Sequence, residues 1–201
     1  MSDPTVWIYA MENRPEISTD QKICTILCRH FSARSHPLQE NPIIRRDSRG
    51  KPFLANLPQW HISVSHSGNR FLCAVSPVQI GIDVQEHKLM RGETGEQAAS
   101  RYCKIAHRFF HPAEAAYVAL APHEHFFSVW TAKESYVKYT GQGMDAHFDA
   151  FSVIPIGIES LPTEISWQAS GVSFQQLLLD TEYTFCACTE QPCALCWEDI
   201  P

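Results

Sequence analysis

The alternation of hydrophobic and polar positions predicts strands and helices in the first half of the chain. Residues 5–11 (TVWIYAM) predict a strand, and residues 18–35 predict a helix because Ser-Thr-Asp precedes apolar residues at helical spacing. Residues 61–76 predict a hairpin, with two alternating segments on either side of a Ser-Gly-Asn turn. Residues 79–87 contain several β-branched residues and predict a further strand.

The second half of the pattern mixes the two kinds of element. Residues 96–110, 111–121 and 126–140 predict helices, and the last of these ends at Gly141. Residues 41–60 are rich in Pro, Asn and Gly, and we expect mostly loop there. Four more strands are predicted, over residues 148–155, 164–170, 172–180 and 183–190. Because the order lacks strict strand–helix–strand alternation, the predicted fold class is α+β.

Composition restricts the classes of protein that fit. The chain has 201 residues, of which 44% are hydrophobic and 19% charged, as in an ordinary globular protein with a sizeable core. Its net charge of −6 argues against a nucleic-acid partner, which calls for a basic face. The N-terminal residues lack a signal-peptide pattern, and no apolar run approaches membrane-spanning length. We therefore expect a cytoplasmic protein that does not enter the membrane.

The eight cysteines are expected to be reduced thiols, as is usual in the cytosol. The C-terminal segment CACTEQPCALC contains a CxxC spacing, which raises the alternative of a structural zinc site. A second spaced pair is missing, and Cys186 and Cys188 alternate as residues of a strand do. Packing is therefore the favoured role for these cysteines.

The segment IGIDVQ contains an acidic residue within an otherwise apolar strand. Side chains alternate along a strand, so Asp83 and Gln85 point to one face, whereas Val84 and Glu86 point to the other. An exposed or capping aspartate is the simple alternative for Asp83.

The helix predicted over residues 126–140 contains charged residues in a regular pattern. Trp130, Glu134 and Lys138 follow one another in steps of four and share one face. An ordinary surface ion pair, worth only about 0.3–0.5 kcal/mol, is the alternative to a chemical role.

A basic segment contrasts with the acidic character of the whole chain. Residues 45–51 (RRDSRGK) include four basic side chains and one acid, a local charge of +3 that suits an anion. Ser65 and His66, near the predicted hairpin turn, are both able to contact phosphate oxygens. A solvated loop is the alternative for the segment, and a turn residue is the alternative for His66.

These groups are complementary. The carboxylates of Asp83 and Glu134 suit Mg²⁺, which would need substrate phosphate oxygens to complete its octahedron. Nearby basic groups would hold the remaining phosphate charge, as in phosphoryl-type transfer from a molecule that contains a diphosphate. The sequence has no GxxxxGK[ST] motif, so a P-loop enzyme is excluded.

Four motifs in order make the sequence recognisable. GKP, ISVSHSG, IGIDVQ and FFSVWTAKESYVKYTGQG resemble the 4′-phosphopantetheinyl transferases of the surfactin-synthetase-activating type over roughly residues 44–152. The resemblance implies two pseudo-symmetric α/β halves, residues 1–77 and 78–201, with the active site in the cleft between them. A weak internal similarity between residues 23–31 and 102–110 fits such a duplication.

The resemblance also implies a reaction. The 4′-phosphopantetheine arm of coenzyme A, the co-substrate, would pass to a serine of an apo acyl or peptidyl carrier protein, with release of adenosine 3′,5′-bisphosphate. Asp83 and Glu134 correspond to the Mg²⁺ ligands, Glu134 also to the base that acts on the serine. Lys138 would neutralise charge on the diphosphate, and Lys133 would share this task.

The remaining roles concern coenzyme A. Ser65 and His66 correspond to phosphate contacts, and Lys51 and Pro52 to the adenine end. Either Arg45 or Arg46 is expected to bind the 3′-phosphate. The sequence leaves the choice between the two open.

One position departs from the pattern. Many members of the family have glutamate two residues after the aspartate, where this chain has Gln85. Glu86 lies on the opposite face and is not expected to replace it. A glutamine oxygen can ligate Mg²⁺ directly or through water, so we predict weaker metal binding rather than an inactive enzyme.

Partners and alternatives complete the predictions. We expect a monomer, with the carrier docking near Lys88, Met90 and Arg91, for which a solvated loop is the alternative. One competing function is a non-catalytic coenzyme A or nucleotide-binding protein. The other is a structural protein with a metal-stabilised cysteine tail. Retention of Asp83, Glu134 and Lys138 together favours the transferase, because binding alone needs no base.

Overall fold

The computed structural model describes residues 3–34, 41–143, 147–154 and 165–201, and these form a mixed α+β fold. Its helices are α1 (Thr19–Ala33), α2 (Gly95–Phe109), α3 (Pro112–Leu120) and α4 (Pro122–Thr140). Its strands are β1 (Thr5–Glu12), β2 (Ile44–Arg46), β3 (Pro52–Leu54), β4 (His61–Ser67), β5 (Arg70–Ser76), β6 (Ile80–Glu86), β7 (Ile165–Ala169), β8 (Val172–Leu179), β9 (Tyr183–Thr189) and β10 (Ala194–Asp199).

The first sheet has the strand order β10-β1-β5-β4. β5 is apolar at almost every position because both of its faces are covered. Phe71, Cys73 and Val75 share one hydrophobic cluster with residues of α1, whereas Leu72 and Ala74 pack with residues of the second sheet. The first sheet therefore lies between α1 and the second sheet.

The second sheet has the order β6-β9-β8-β7 and is antiparallel throughout. Ile80, Ile82 and Val84 of β6 pack toward the first sheet. Because side chains alternate along a strand, Asp83 and Gln85 point the other way, toward α4. The layers are thus helix, sheet, sheet and helix, and the carboxylate of β6 lies at the surface where α4 packs.

A row of serine hydroxyls joins β4 of the first sheet to β6 of the second. The side chains of Ser63, Ser65 and Ser67 lie on one face of β4, and their Oγ atoms accept hydrogen bonds from the amides of residues 82, 84 and 86 at 3.0, 3.2 and 3.0 Å. The row satisfies amide groups on the edge of β6 that does not pair with β9. It also fixes the register of β6 against β4.

Several elements follow the predictions from sequence. Ser18 and Gln21 form a capping box at the start of α1. Gly141 ends α4 in the left-handed conformation, with φ of 71°. α4 begins at Pro122 rather than at residue 126, because Pro122 takes the first-turn position that proline favours.

Residues 41–60 are mostly loop, as predicted, but they also contain the short strands β2 and β3, which pair with each other. One strand prediction was wrong. The expected strand 148–155 begins with a 3₁₀ turn, Phe148–Ala150, and continues without regular structure to residue 154. Residue 155 and residue 164, the first of another expected strand, lie outside the described residues.

The last strand was not predicted, and it returns to the first sheet. β10 pairs in parallel with β1, so Trp7 lies opposite Cys196 and Tyr9 opposite Glu198. The division near residue 77 stays a prediction, and any N-terminal half would include this C-terminal strand. Within the described residues, no helix is both long and apolar enough to span a lipid bilayer.

Candidate active site

A close contact between β6 and α4 brings the charged residues of both elements together. A Cβ atom on Gly81 would lie only 2.0 Å from the carbonyl oxygen of Ser135 and 2.3 Å from the amide nitrogen of Tyr139. Only glycine permits this approach of the two backbones. Glu134 and Lys138 precede these helix residues by one position each, and both side chains line a groove with a volume of about 1080 Å³.

Asp83 is buried, and its two carboxylate oxygens have different surroundings. Oδ1 accepts a hydrogen bond from Ser65 Oγ at 2.7 Å and another from Lys138 Nζ at 2.6 Å. Oδ2 is buried and has no hydrogen-bond partner among the described residues. A buried carboxylate oxygen without a partner is costly unless something else, such as a cation, binds it.

Glu134 lies close enough to Asp83 for their charges to interact. Burial raises the pKa of the Glu134 carboxyl, the charge of Asp83 raises it further, and Lys138 opposes both effects. Glu134 lines the groove and Asp83 is buried beside it, and two carboxylates that repel each other are an arrangement that a divalent cation stabilises. The chemistry of these residues, with the orphaned Asp83 Oδ2, is compatible with Mg²⁺.

Gln85 also lines the groove. Its amide nitrogen donates to Ser67 Oγ at 3.2 Å and to the carbonyl oxygen of Glu86 at 3.4 Å. These bonds use the nitrogen and leave the side-chain oxygen for a ligand. Glu86 lines the groove as well; it accepts a hydrogen bond from the Tyr183 hydroxyl at 3.4 Å and lies 3.9 Å from Lys88 Nζ.

The basic segment forms the other end of the groove. Arg46, Arg49, Lys51 and Pro52 line it, whereas Arg45 alternates to the other side of β2 and is absent from the lining. Of the two arginines that the sequence left open, Arg46 is therefore the one at the groove. Arg46 also forms an ion pair with Asp20 at 2.5 Å.

Two side chains of the basic segment contact the C-terminal end of α4. Lys51 Nζ donates to the carbonyl oxygen of Tyr139 at 3.1 Å, and Arg49 donates to that of Gly141 at 3.2 Å. Both cations therefore interact with the negative end of the helix dipole. Burial lowers the pKa of Lys51. Arg49 was counted in the basic segment without a role, and the structure adds it to the groove.

Three side chains are not where the sequence predictions expected them. Ser65 and His66 lie within β4, not at the hairpin turn, and they point to opposite faces. Ser65 is buried against Asp83, whereas His66 is exposed and does not line the groove. The structure does not bring these two residues together as a pair of phosphate contacts.

Lys133 is the third side chain that lies away from its expected position. It is fully buried, and its ammonium donates to Glu114 Oε2 at 2.6 Å and to the carbonyl oxygen of Phe151 at 2.8 Å. Glu114 Oε1 accepts from the amide of Val153 at 2.7 Å. Lys133 thus fixes residues 151–153 against α3 and α4 and does not reach the groove. Lys133 precedes Glu134 by one residue and therefore points to a different side of α4.

An aromatic wall continues the groove beyond Glu134, and it was missed from sequence. The wall consists of Tyr102, Ile105, Phe109, Phe126, Phe127, Trp130 and Phe148. The sequence did contain a signal for this wall. It is a set of residues at helical spacing along α2, namely Arg101, Ile105, Arg108 and Phe109. Trp130, which the sequence placed on one helix face with Glu134 and Lys138, contributes to this wall.

The cysteines of the C-terminal segment pack in different parts of the fold. Cys186 and Cys188 pack toward α4, whereas Cys193 packs between the two sheets. Burial raises the pKa of the Cys186 thiol to about 12, which disfavours the thiolate that zinc needs. In the part of the chain that the structure describes, no three His, Cys, Asp or Glu side chains are grouped to hold a metal ion.

Comparison with known proteins connects this geometry to a family. A sequence model of the 4′-phosphopantetheinyl transferase superfamily matches residues 79–196. That segment includes Asp83, Gln85, Glu134 and Lys138, whereas the basic segment and β4 precede it.

Three relatives are similar over different shares of the chain. A 4′-phosphopantetheinyl transferase of Bacillus subtilis is 36% identical over 52% of this chain and 43% of its own length. The 4′-phosphopantetheinyl transferase psf-1 of Bacillus pumilus is 28% identical over 84% of this chain and 70% of its own length. The 4′-phosphopantetheinyl transferase Sfp of Bacillus subtilis strain 168 is 27% identical over 83% and 72% respectively. The chain therefore spans less than half of the first relative and about 70% of the other two.

Proposed function

The chain belongs to the 4′-phosphopantetheinyl transferase superfamily, and on that premise we propose that it transfers the 4′-phosphopantetheine arm of coenzyme A to a serine of an apo carrier protein. The product nucleotide is adenosine 3′,5′-bisphosphate. One observation carries the proposal: Asp83 Oδ2 is buried and has no hydrogen-bond partner among the described residues, and the Asp83 carboxylate interacts electrostatically with that of Glu134. Lys138 lies on the same side of α4 as Glu134 and donates a hydrogen bond to the other oxygen of Asp83.

Asp83, Glu134 and the side-chain oxygen of Gln85 would hold Mg²⁺. When bound, the ion would supply positive charge that offsets the negative charge of the coenzyme A diphosphate. The two carboxylates and one amide give the site a protein charge of −2 before Lys138 is counted. That charge supports binding of a divalent cation together with an anionic substrate.

Glu134 accepts the proton of the carrier serine, directly or through a water molecule. The serine oxygen then forms a bond to the phosphorus that carries the pantetheine arm, and the bond from that phosphorus to the bridging oxygen breaks. The raised pKa of Glu134 brings its proton affinity closer to that of a useful base. Lys138, whose side chain is 29% exposed, offsets charge on the departing bisphosphate.

Coenzyme A lies with its nucleotide toward the basic segment. Lys51 and Pro52 contact the adenine end, and Arg46 with Arg49 binds the 3′-phosphate. His66 remains a predicted phosphate contact. The pantetheine arm runs past Glu134 toward the aromatic wall, whose apolar surface suits its methyl and methylene groups.

The carrier protein docks at the rim where the arm leaves the groove. Lys88 lines the groove, and Leu89 and Met90 beside it are 48% and 60% exposed. With Arg91 these residues form a basic and apolar patch, which is complementary to an acidic helix of a carrier. The enzyme acts as a cytoplasmic monomer, a proposal that fits its eight free cysteines.

The test is the intact mass of an apo carrier protein after incubation with this protein, coenzyme A and Mg²⁺. Carriers of the fatty-acid, polyketide and nonribosomal-peptide classes are each tried, with Glu134→Ala as the control. We expect a gain of one phosphopantetheine with the unmodified enzyme alone. If no carrier gains mass while calorimetry detects coenzyme A binding, the protein is a non-catalytic coenzyme A-binding protein instead.

A further inference from the structure

The serine row between the two sheets contains one member with an additional contact. Ser63, Ser65 and Ser67 each accept a hydrogen bond from an amide of β6. Ser65 alone of the three hydroxyls also donates to a carboxylate, Asp83 Oδ1, at 2.7 Å. The three residues therefore share one structural task, and Ser65 has a second contact within the candidate active site.

The geometry of Ser65 leaves its hydroxyl little freedom. A serine hydroxyl has one proton to donate and two lone pairs to accept with. The amide of Val84, at 3.2 Å, occupies a lone pair, and Val84 follows Asp83 directly in the chain. The proton is consequently directed at the carboxylate of the neighbouring residue, and Ser65 is buried with only 6% of its surface exposed.

These contacts give the two carboxylate oxygens of Asp83 different hydrogen-bonding environments. Ser65 Oγ and Lys138 Nζ both donate to Oδ1, and Oδ2 keeps its electron pairs with no partner among the described residues. Lys138 lies on the helix and is 29% exposed, so its side chain has room to move toward a substrate phosphate. When Lys138 moves toward the phosphate, Ser65 remains as the hydrogen-bond donor to Asp83 Oδ1.

We propose that Ser65 is a positioning residue that holds the Asp83 carboxylate with Oδ2 directed at the divalent cation. This inference rests on the proposed function, because it gives Oδ2 the metal as its ligand. It replaces the sequence-based prediction that Ser65 binds a phosphate of coenzyme A. Partners that orient metal ligands typically change metal affinity by about 10- to 100-fold when they are removed.

The two roles predict different measurements. Loss of a positioning hydrogen bond weakens the binding of the cation, whereas loss of a phosphate contact raises the KM for coenzyme A at saturating metal. A purely structural role in the serine row lowers stability and leaves both binding constants unchanged. Mn²⁺ is the probe, because the concentration of free Mn²⁺ is measured directly from its electron paramagnetic resonance signal.

The experiment compares Ser65→Ala with Ser63→Ala, a matched control. Ser63 is equally buried and makes the same kind of amide contact, to Ile82 at 3.0 Å, without a carboxylate. Mn²⁺ is titrated into each folded protein at saturating coenzyme A, and unfolding in urea is measured in parallel. Ser65→Thr restores the hydroxyl, and Ser65→Cys, with a weaker donor of similar shape, serves if Ser65→Ala does not fold.

We expect Ser65→Ala to raise the Mn²⁺ dissociation constant about tenfold, Ser65→Thr to recover most of the loss, and Ser63→Ala to leave the constant unchanged. Equal Mn²⁺ affinity in Ser65→Ala and the unmodified protein would overturn the inference, as would equal losses in Ser65→Ala and Ser63→Ala. If the unmodified protein binds no Mn²⁺, the metal site of the proposed function is wrong, and the inference falls with it. The unmodified protein thus tests the function, and the comparison of the two serines tests the inference.

Discussion

Glu134 illustrates how a candidate active-site residue is placed at a cost in stability. Burial and the nearby charge of Asp83 raise its pKa in the folded state above the value in the unfolded chain. Its contribution to stability is therefore fully present below the unfolded pKa and is lost as the pH rises through the folded pKa. In its ionised form, Glu134 destabilises the metal-free protein.

Glu134→Gln is expected to stabilise the metal-free protein at neutral pH while it lowers transfer about 100- to 10,000-fold through loss of the base. Urea unfolding at pH 4 to 8 in the presence of a chelator measures the first effect, and carrier mass the second. The gap in stability between variant and unmodified protein is expected to widen as the pH rises. A variant less stable at every pH would contradict this account.

Gln85→Glu is expected to strengthen metal binding. The change adds a carboxylate close to Asp83 and Glu134, and a hard divalent cation binds more tightly as ligand charge increases. The Mg²⁺ concentration that gives half-maximal transfer should fall. If the titration is unchanged, the Gln85 side chain does not contribute to the site. Gln191→Glu, a substitution of the same charge at an exposed position, is the control for general electrostatic attraction.

Lys133→Ala is expected to destabilise the protein by about 3–5 kcal/mol, because it leaves Glu114 buried without its cation. Both side chains are completely buried, so solvent does not screen the pair. The double variant Lys133→Met with Glu114→Gln should recover much of the loss, since it removes both charges and keeps an acceptor for the amide of Val153. Urea unfolding measures both. An unchanged stability with a raised KM for coenzyme A would instead support the role at the groove that the sequence predicted.

At the scale of elements, the site depends on how closely α4 approaches β6. Gly81→Ala would place a methyl group against the backbone of residues 135 and 139, which have no side-chain freedom to yield. We expect α4 to move away, at a cost of about 3 kcal/mol or more and with a large loss of transfer, since Glu134 and Lys138 move with the helix.

Gly95→Ala is the matched control for that prediction. Gly95 lies in the first turn of α2, and the nearest heavy atom to an added Cβ is His123 Nε2 at 3.8 Å. Alanine there is expected to be neutral or slightly stabilising, because it has the higher helix propensity. Thermal unfolding and transfer activity are compared for both variants. Equal effects of the two substitutions would show that the contact at Gly81 is not what places α4.

At the scale of the whole molecule, β10 connects the end of the chain to its beginning. Trp197 packs on Phe185 of the second sheet with ring centroids 4.8 Å apart, and Glu198 pairs with Arg29 of α1 at 2.5 Å. Because this strand contacts both layers, we expect the two sheets to unfold together. A single cooperative transition is the expected behaviour of the chain.

Trp197→Ala is expected to lower stability by up to about 3 kcal/mol and to shift the unfolding of both sheets equally. Far-ultraviolet circular dichroism reports on the secondary structure, and tryptophan fluorescence reports on the four remaining tryptophans: Trp7 and Trp60 beside α1, Trp130 in α4 and Trp167 in β7. Transitions that remain coincident support one folding unit. Separation of the two signals in the variant would show that the sheets are independent and that β10 does not couple them.

Much of the secondary structure could be predicted because it depends on short-range pattern. The Ser18 cap, the end of α4 at Gly141 and the alternation along β6 are properties of a few neighbouring residues. The predictions failed where a partner distant in the sequence decides the structure. β10 is a strand because β1, at the other end of the chain, offers an edge for it to pair with.

By itself, the sequence determined the α+β class, the four-residue spacing of Glu134 and Lys138, and the shared face of Asp83 and Gln85, because helical and strand periodicity require them. Only the tertiary structure decided which donors bind Asp83, since Ser65 and Lys138 reach it across 18 and 55 residues of chain. The tertiary structure also buries Lys133 in an ion pair with Glu114, 19 residues away in the sequence. A side chain's position on its element is local physics, whereas its partner is chosen by the packing of the whole fold.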